Sequence, residues 1–253
     1  MFHQAIGMPF IELQTVDSTN NYALGQIHAG LAQHGMTIFT HEQTAGKGQR
    51  GKKWDSLPSA NIAISIIIKP DPLTLSRQFQ LSACVSVAVN EFFSKYAGED
   101  TKIKWPNDLY WKDRKAGGIL IESGIQSRES GVNVWEWAII GIGININQSA
   151  FPPELSNPVS LKQITGKNFD TIILAKEICL SFGEHYEKLI SGGFENIYSE
   201  YLSRLYKKNE KVKLKKDSRV FEAMIKTVLP NGRLIVQHSI EEEFDFGSVE
   251  WII

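Results

Sequence analysis

Gln43 to Trp54 reads Gln-Thr-Ala-Gly-Lys-Gly-Gln-Arg-Gly-Lys-Lys-Trp, a glycine-rich basic stretch set between two apolar strand patterns, Met36 to Phe39 and Ile62 to Ile68. That setting constrains the fold most. A stretch so poor in apolar residues cannot build its own core, so it is a loop held by a rigid scaffold. Gly46, Gly48 and Gly51 allow backbone bends through positive φ and bring bare N–H groups close to a ligand. Lys47, Arg50, Lys52 and Lys53 put four cations on the same loop, where an anion would sit. Trp54 supplies an apolar body able to pack the loop down. Phosphate is the expected ligand.

The scaffold reads as α+β. Phe10 to Val16 alternates as a strand, and Asp17 and Ser18 offer oxygens to cap a helix through Thr19, Asn20 and Leu24. Ile62, Ile64, Ile66 and Ile68 share one strand face, with Ala63, Ser65 and Ile67 on the other. Leu81, Val85, Ala88, Phe92 and Tyr96 recur at helical spacing up to Gly98. Short strands follow at Ile103 to Trp105, Leu109 to Trp111, Gly118 to Glu122 and Val134 to Ile142, then a proline- and asparagine-rich loop, Gln148 to Pro158. Ala175 to Leu189 and Phe194 to Tyr206 read as helices. From Lys211 the chain changes to short strands, with a tight turn at Asn231-Gly232, as in a small β-barrel appended to the main domain. The boundary falls at 206/207. Lys211, Lys213 and Lys215 read as the solvated face of an edge strand, and Glu241 to Glu243 as a solvated turn.

Hydrophobic residues make up 42% of the chain, enough for a substantial core. A net charge of −1 argues against general nucleic-acid binding, so basic sites must be local. No apolar run reaches membrane-spanning length and the start lacks signal-peptide features, which points to the cytoplasm. Cys84 and Cys179 fit buried free thiols. The six histidines show no metal-ligand spacing, so no built-in zinc site is expected.

Three further groups carry chemistry. Lys104-Trp105-Pro106-Asn107-Asp108 presents an amide and a carboxylate at a turn, where Asp108 can either form the turn or hold a hydrated magnesium ion. Close behind, Lys115 abuts Gly117-Gly118, where backbone can approach a ligand. Gly141-Ile142-Gly143-Ile144-Asn145 follows an apolar strand but lacks the third glycine of a dinucleotide fold; it suits a wall of small residues against a nucleotide. Asp17-Ser18-Thr19-Asn20 offers hydroxyls and an amide at a helix start.

Together these motifs, in this order and spacing, resemble the biotin protein ligases across essentially the whole chain. Gln43 to Trp54 is similar to the family's glycine-rich biotin and adenylate loop, Lys104 to Asp108 to its Lys-Trp-Pro-Asn-Asp segment, and Arg114 to Leu120 to its Arg-Lys-x-x-Gly-Ile-Leu strand. Gly141 to Asn145 matches the Gly-x-Gly-x-Asn turn, Ser18-Thr19-Asn20 the helix start, and Phe246 to Val249 the end of a small SH3-like C-terminal barrel. The resemblance implies a mixed β-sheet catalytic domain over 1–206 and the barrel over 207–253.

It further implies that Ser18, Thr19, Asn20 and Gln43 contact the biotin ureido head. Gly46, Lys47, Gly48 and Gln49 would lie along its chain and carboxylate, with Lys115 and Gly117 also on the biotin side. Arg50, Lys52 and Lys115 face phosphates; Trp54, Asn107, Asp108 and Asn145 serve the nucleotide. Lys115, Arg50 and Asp108 are the implied catalytic residues, with Asp108 holding Mg2+, directly or through water. Two positions depart from the family: Lys47 and Gln49 stand where arginine is common.

The implied reaction joins biotin to ATP as biotinyl-AMP, then transfers biotin to a lysine of a biotin carboxyl carrier protein domain. No DNA, membrane or repressor role is expected, since only 17 residues precede Ser18; a homodimer is allowed. Three other readings compete. A P-loop nucleotidase would need a hydroxyl where Lys53 stands. A non-catalytic biotin or adenylate sensor and a lipoate ligase on a similar fold are the others.

Overall fold

The computed structural model describes residues 5–127, 133–155 and 157–252. Ser156, within the expected Gln148 to Pro158 loop, and residues 1–4 lie outside that set. The first sheet has seven strands: β1 (Phe10–Val16), β2 (Thr37–Gln43), β3 (Ile62–Ile68), β4 (Thr101–Lys104), β5 (Asp108–Trp111), β6 (Arg114–Ser127) and β7 (Asn133–Ile144). Their order is β1-β2-β3-β7-β6-β5-β4. β1 and β2 are parallel, joined by helix α1 (Thr19–His28), because a parallel pair needs a crossover. The remaining neighbours pair antiparallel.

All seven residues of β3 are buried, as a central strand covered on both faces requires. Ile62, Ile64, Ile66 and Ile68 join the large core that also holds Val85 and Phe92 of α2 (Gln78–Ala97). Ile67 joins a smaller core on the opposite face, with Ala23 of α1, Met36, Ile38 and Trp137. Each fully buried isoleucine contributes about 1.5–3 kcal/mol relative to exposure. The α1 face of β3 is interrupted by Ser65, which matters for the site.

α3 (Leu161–Thr165) is a single turn that periodicity does not reveal, although its Ser160/Gln163 capping box is written in the sequence. Next come α4 (Thr171–Ile190) and α5 (Phe194–Ser203). The Ser18 hydroxyl makes no capping bond at α1; the neighbouring Asp17 carboxylate accepts instead from the Asn21 amide.

The second sheet is antiparallel and contains β8 (Lys211–Lys216), β9 (Arg219–Val228), β10 (Leu234–Gln237), β11 (Glu241–Phe244) and β12 (Glu250–Ile252), in the order β11-β10-β9-β8-β12. Two expectations fail here. β8 is interior, because three residues of β12 pair with Lys213 to Lys215, although its alternate lysines are exposed. Glu241 to Glu243 belong to β11 rather than to a turn, paired with β10.

This sheet docks against the turn before β5. Trp105 Nε1 donates to Gly232 O at 2.8 Å, and its ring meets Phe246 edge to face. Tyr201 of α5 donates to Pro106 O at 2.9 Å. The segment carrying Asn107 and Asp108 is therefore fixed from two sides. Cys84 and Cys179 are free and buried, and burial pushes both thiols up, Cys179 to about 11. No helix among the described residues is long and apolar enough to cross a membrane.

Candidate active site

A cleft of about 680 Å³ opens on the α1 side of the first sheet, and its two ends differ in chemistry. One end is neutral, polar and buried. Ser18, Thr19 and Asn20 are each no more than 3% exposed at the start of α1. Thr19 donates through its backbone N–H (2.9 Å) and hydroxyl (3.2 Å) to Gln43 Oε1, at the end of β2. Ser65 Oγ lies 2.7 Å from Thr19 Oγ1 and 2.5 Å from Asn20 Oδ1; its one proton can serve a single partner at a time. Asn20 Nδ2 donates to Glu122 Oε2 at 2.6 Å, and Glu122 Oε1 lies 3.6 Å from Lys47 Nζ. Ser65 and Glu122 carry this network, and sequence reasoning gave neither a role. Their signal was present: a lone hydroxyl in an isoleucine run, and a lone carboxylate in an apolar strand.

The other end is cationic. The loop after β2 folds back on itself, with Trp54 N–H donating to Gly46 O (2.9 Å) and Gly48 N–H to Lys52 O (2.7 Å). Of its glycines, only Gly51 adopts positive φ (75°), preceded by Arg50 at 55°. A P-loop needs a helix after its glycines; here a single 3-10 turn, Gln49–Gly51, lies within the loop and β3 comes next. The nucleotidase reading therefore fails. Lys47, Arg50, Lys52 and Lys53 are exposed along the cleft.

Trp54 crosses Gly143 so closely that a Cβ there would stand 2.6 Å from the indole. Gly141 likewise leaves room for Asn20. The Gly-x-Gly of β7 is thus a flat floor under two side chains.

Lys115 and Asp108 meet in this cleft, Nζ to Oδ1 at 2.7 Å. A β-bulge brings them together. Leu109 pairs with Gly117 but Tyr110 pairs with Lys115, leaving Ala116 as the extra residue. The side-chain alternation shifts by one, and Lys115 stands on the same side as Gly118, 3.6 Å from where a Cβ would lie.

Lys104, to which the sequence assigned no part, also lines the cleft. It donates to Tyr110 OH at 3.2 Å and lies over the rings of Tyr110 (4.8 Å) and Trp251 (5.3 Å). Burial lowers its pKa to about 8; Asp108 opposes that shift, and Lys115 and Lys52 add to it. Trp251 and Ile252 bring β12 of the second sheet to the same wall.

Of the expected site residues, Ser18, Thr19, Asn20 and Gln43 line the neutral end, and Lys47, Gly48, Gln49, Arg50, Lys52, Trp54, Asp108, Lys115 and Asn145 also line the cleft. Gly46, Gly117 and Asn107 do not. Gly46 packs beneath the Trp54 backbone and Gly117 against Gly143 O. Asn107 lines an adjoining cavity of about 490 Å³, shared with Gln49 and Arg50. Gln49 Nε2 donates to Asn107 Oδ1 (2.7 Å) and Ile119 O (3.1 Å), which ties it into the wall between the cavities. The Asn145 amide donates to Val159 O at 3.2 Å and so holds a neighbouring segment.

The paired sheets and this two-ended cleft define the fold of the biotin protein ligases. The Aquifex aeolicus biotin protein ligase, solved in complex with biotin and ATP, matches with a TM-score of 0.80 over 97% of this chain and 99% of that one, at 24% identity. The chain belongs to the Biotin/lipoate A/B protein ligase family, whose model matches residues 12–145.

Among curated relatives, the Bacillus subtilis bifunctional ligase/repressor BirA is 34% identical over 197 residues. That match covers 77% of this chain and 58% of the relative, so the chain spans less than two thirds of that protein. The Paracoccus denitrificans biotin–[acetyl-CoA-carboxylase] ligase is 29% identical over 231 residues, 89% of this chain and 92% of the relative.

Proposed function

We propose that this chain is an ATP-dependent ligase that activates biotin as biotinyl-5′-AMP and transfers it to a lysine of a biotin carboxyl carrier protein domain. The observation that carries the reading is the joining, in one cleft, of a buried neutral network and a cluster of cations. A ureido group is uncharged, with a carbonyl acceptor and two N–H donors, which suits the hydroxyls and amides of Ser18, Thr19, Asn20, Gln43 and Ser65. A carboxylate and a triphosphate need the other end. The names of the Paracoccus and Bacillus relatives support the same assignment.

In the first step a biotin carboxylate oxygen attacks the α-phosphorus of ATP and pyrophosphate leaves. The barrier is the approach of two anions, so positioning and fixed positive charge do the work. Arg50, Lys52 and Lys115 supply charge at the phosphates, and the half-buried Lys104 adds to the field. Asp108 is a fitting ligand for Mg2+, which keeps several waters and needs few protein carboxylates; when bound, the ion would neutralise phosphate charge. In the second step a lysine amine attacks the acyl carbon, an amide forms, AMP leaves and the amine sheds a proton. No protein nucleophile is required. In this reading residues 1–206 are the catalytic unit and 207–253 a small barrel whose Trp251 completes the cleft wall.

Mass spectrometry of the protein incubated with ATP, Mg2+ and either biotin or lipoate tests the proposal. Biotinyl-AMP should form and lipoyl-AMP should not. Lipoyl-AMP alone would move the chain to the other branch of the family, and neither adduct would refute an adenylating function.

A further inference from the structure

We infer that Glu91, His185 and Glu200 form a binding site for a borderline divalent metal ion of the Zn2+ class. It ties together α2, α4 and α5, and none of the three residues lines the cleft. His185 is 2% exposed. Its Nδ1 lies 2.9 Å from Ser181 O, an acceptor only, so Nδ1 carries a proton and donates it there. In the neutral ring Nε2 is then left as a lone-pair donor. That atom is buried and makes no hydrogen bond. Glu91 Oε2 stands 3.3 Å from it, within ion-pair distance but off the line a hydrogen bond needs.

A buried polar atom without a hydrogen bond is costly, and this one stands within 4.8 Å of two carboxylates. A backbone carbonyl behind a histidine Nδ1–H is the usual means of orienting a metal-bound imidazole.

The distances fit. A tetrahedral ion with bonds of about 2.0–2.2 Å has ligand-to-ligand edges of roughly 3.3–3.6 Å. His185 Nε2 and Glu91 already stand at 3.3 Å, and the three ligand atoms lie within 4.8 Å of one another. The carboxylate side chains, at 40% and 42% exposed, have room to close the remaining gap and to admit water as the fourth ligand.

Arg204 works against the ion, with Nη2 3.4 Å from Glu200 Oε2. It engages one oxygen of that carboxylate, and with a neutral imidazole the cluster still carries one net negative charge. An imidazole nitrogen favours Zn2+ over the harder Mg2+ and Ca2+, which prefer all-oxygen shells. The histidine pattern gave no hint because the ligands come from three separate helices, and Glu91 lies far from the other two in sequence.

The test is Zn2+ titration of the full chain, stripped of metal and without biotin or ATP, against a chromophoric chelator. One Zn2+ should bind, and excess Mg2+ should not displace it. The partly exposed pair Glu91→Gln with Glu200→Gln, confirmed folded by circular dichroism, should lose at least about tenfold in affinity. Asp108→Asn, which removes the cleft carboxylate, should bind as the parent does. Absence of binding, less than tenfold loss in the double variant, or an equal loss in Asp108→Asn would overturn the site.

Discussion

The two ends of the cleft are built on opposite principles. At the neutral end most groups are already held: Thr19, Asn20, Gln43 and Ser65 bond one another across α1, β2 and β3, and Asn20 is anchored to the Glu122 carboxylate of β6. At the cationic end four positive side chains extend from one exposed loop, and only Lys47 reaches a carboxylate, Glu122, among the ion pairs of the described residues. A preformed pocket recognises a neutral head cheaply, because ordering it costs little on binding. Clustered like charges repel until an anion arrives, so the cationic end gains its order from the ligand. Specificity should therefore reside in the first region and rate in the second.

The largest effect should come from Lys115→Ala. Removing a positioned cation at a developing phosphate charge costs on the order of 100- to 1000-fold in turnover. Biotin-dependent pyrophosphate exchange reads it, with biotin affinity measured in parallel. A variant within about threefold of the parent would place the rate elsewhere.

Ser65→Ala attacks the neutral end at its most buried point. It removes the proton that the Thr19 and Asn20 oxygens share and leaves one of them short of a donor, at about 1–3 kcal/mol. The biotin Kd should rise by roughly 5- to 150-fold while maximal turnover at saturating biotin changes little. If turnover fell and the Kd held, the division between the ends would be broken.

Lys104 sharpens the contrast, being a cation of the cationic end that is half-buried against rings. Its folded pKa of about 8 lies below the ordinary 10.5. Between those values the unfolded chain binds more protons, so this group's contribution to stability rises with pH, and its penalty is full below pH 8. Lys104→Met should therefore be more stable than the parent by about 2 kcal/mol at pH 7, with the gap narrowing towards pH 10. Urea denaturation at both pH values checks it, and a gap independent of pH would mean that Lys104 is not desolvated.

The smallest effect concerns Gln49, placed between the ends. A neutral amide lacks the charge assistance of arginine, a difference of about 1 kcal/mol. Biotinyl-AMP should leave roughly fivefold more slowly from Gln49→Arg, as measured by stopped flow. Equal or faster release would assign Gln49 to holding Asn107 alone, the bond the structure already shows at 2.7 Å.

What the sequence disclosed followed from period and spacing. The two-faced β3 and the run of α2 are local patterns, and the basic loop announces itself by composition. The neutral end was half legible: Ser18 to Asn20 stood out at a helix start, whereas Ser65 and Glu122 gained meaning only when β3 and β6 brought them to Asn20. The bulge at Ala116 that turns Lys115 towards Asp108 is a register event, invisible in alternation. Trp251 and Lys104 meet across two sheets, which no local pattern encodes. β8 read as an edge because the three residues of β12 that cover it are too few to register as a partner.

Isothermal titration of biotin in the absence of ATP, with Asn20→Ala beside Lys52→Ala, tests the division most directly. The account predicts that Asn20→Ala weakens biotin by roughly tenfold or more, the loss of a well-satisfied buried polar group. It predicts that Lys52→Ala stays within about twofold, because an exposed cation proposed to meet phosphate has no partner in that titration. An unchanged affinity in Asn20→Ala, or a larger loss in Lys52→Ala, would contradict it.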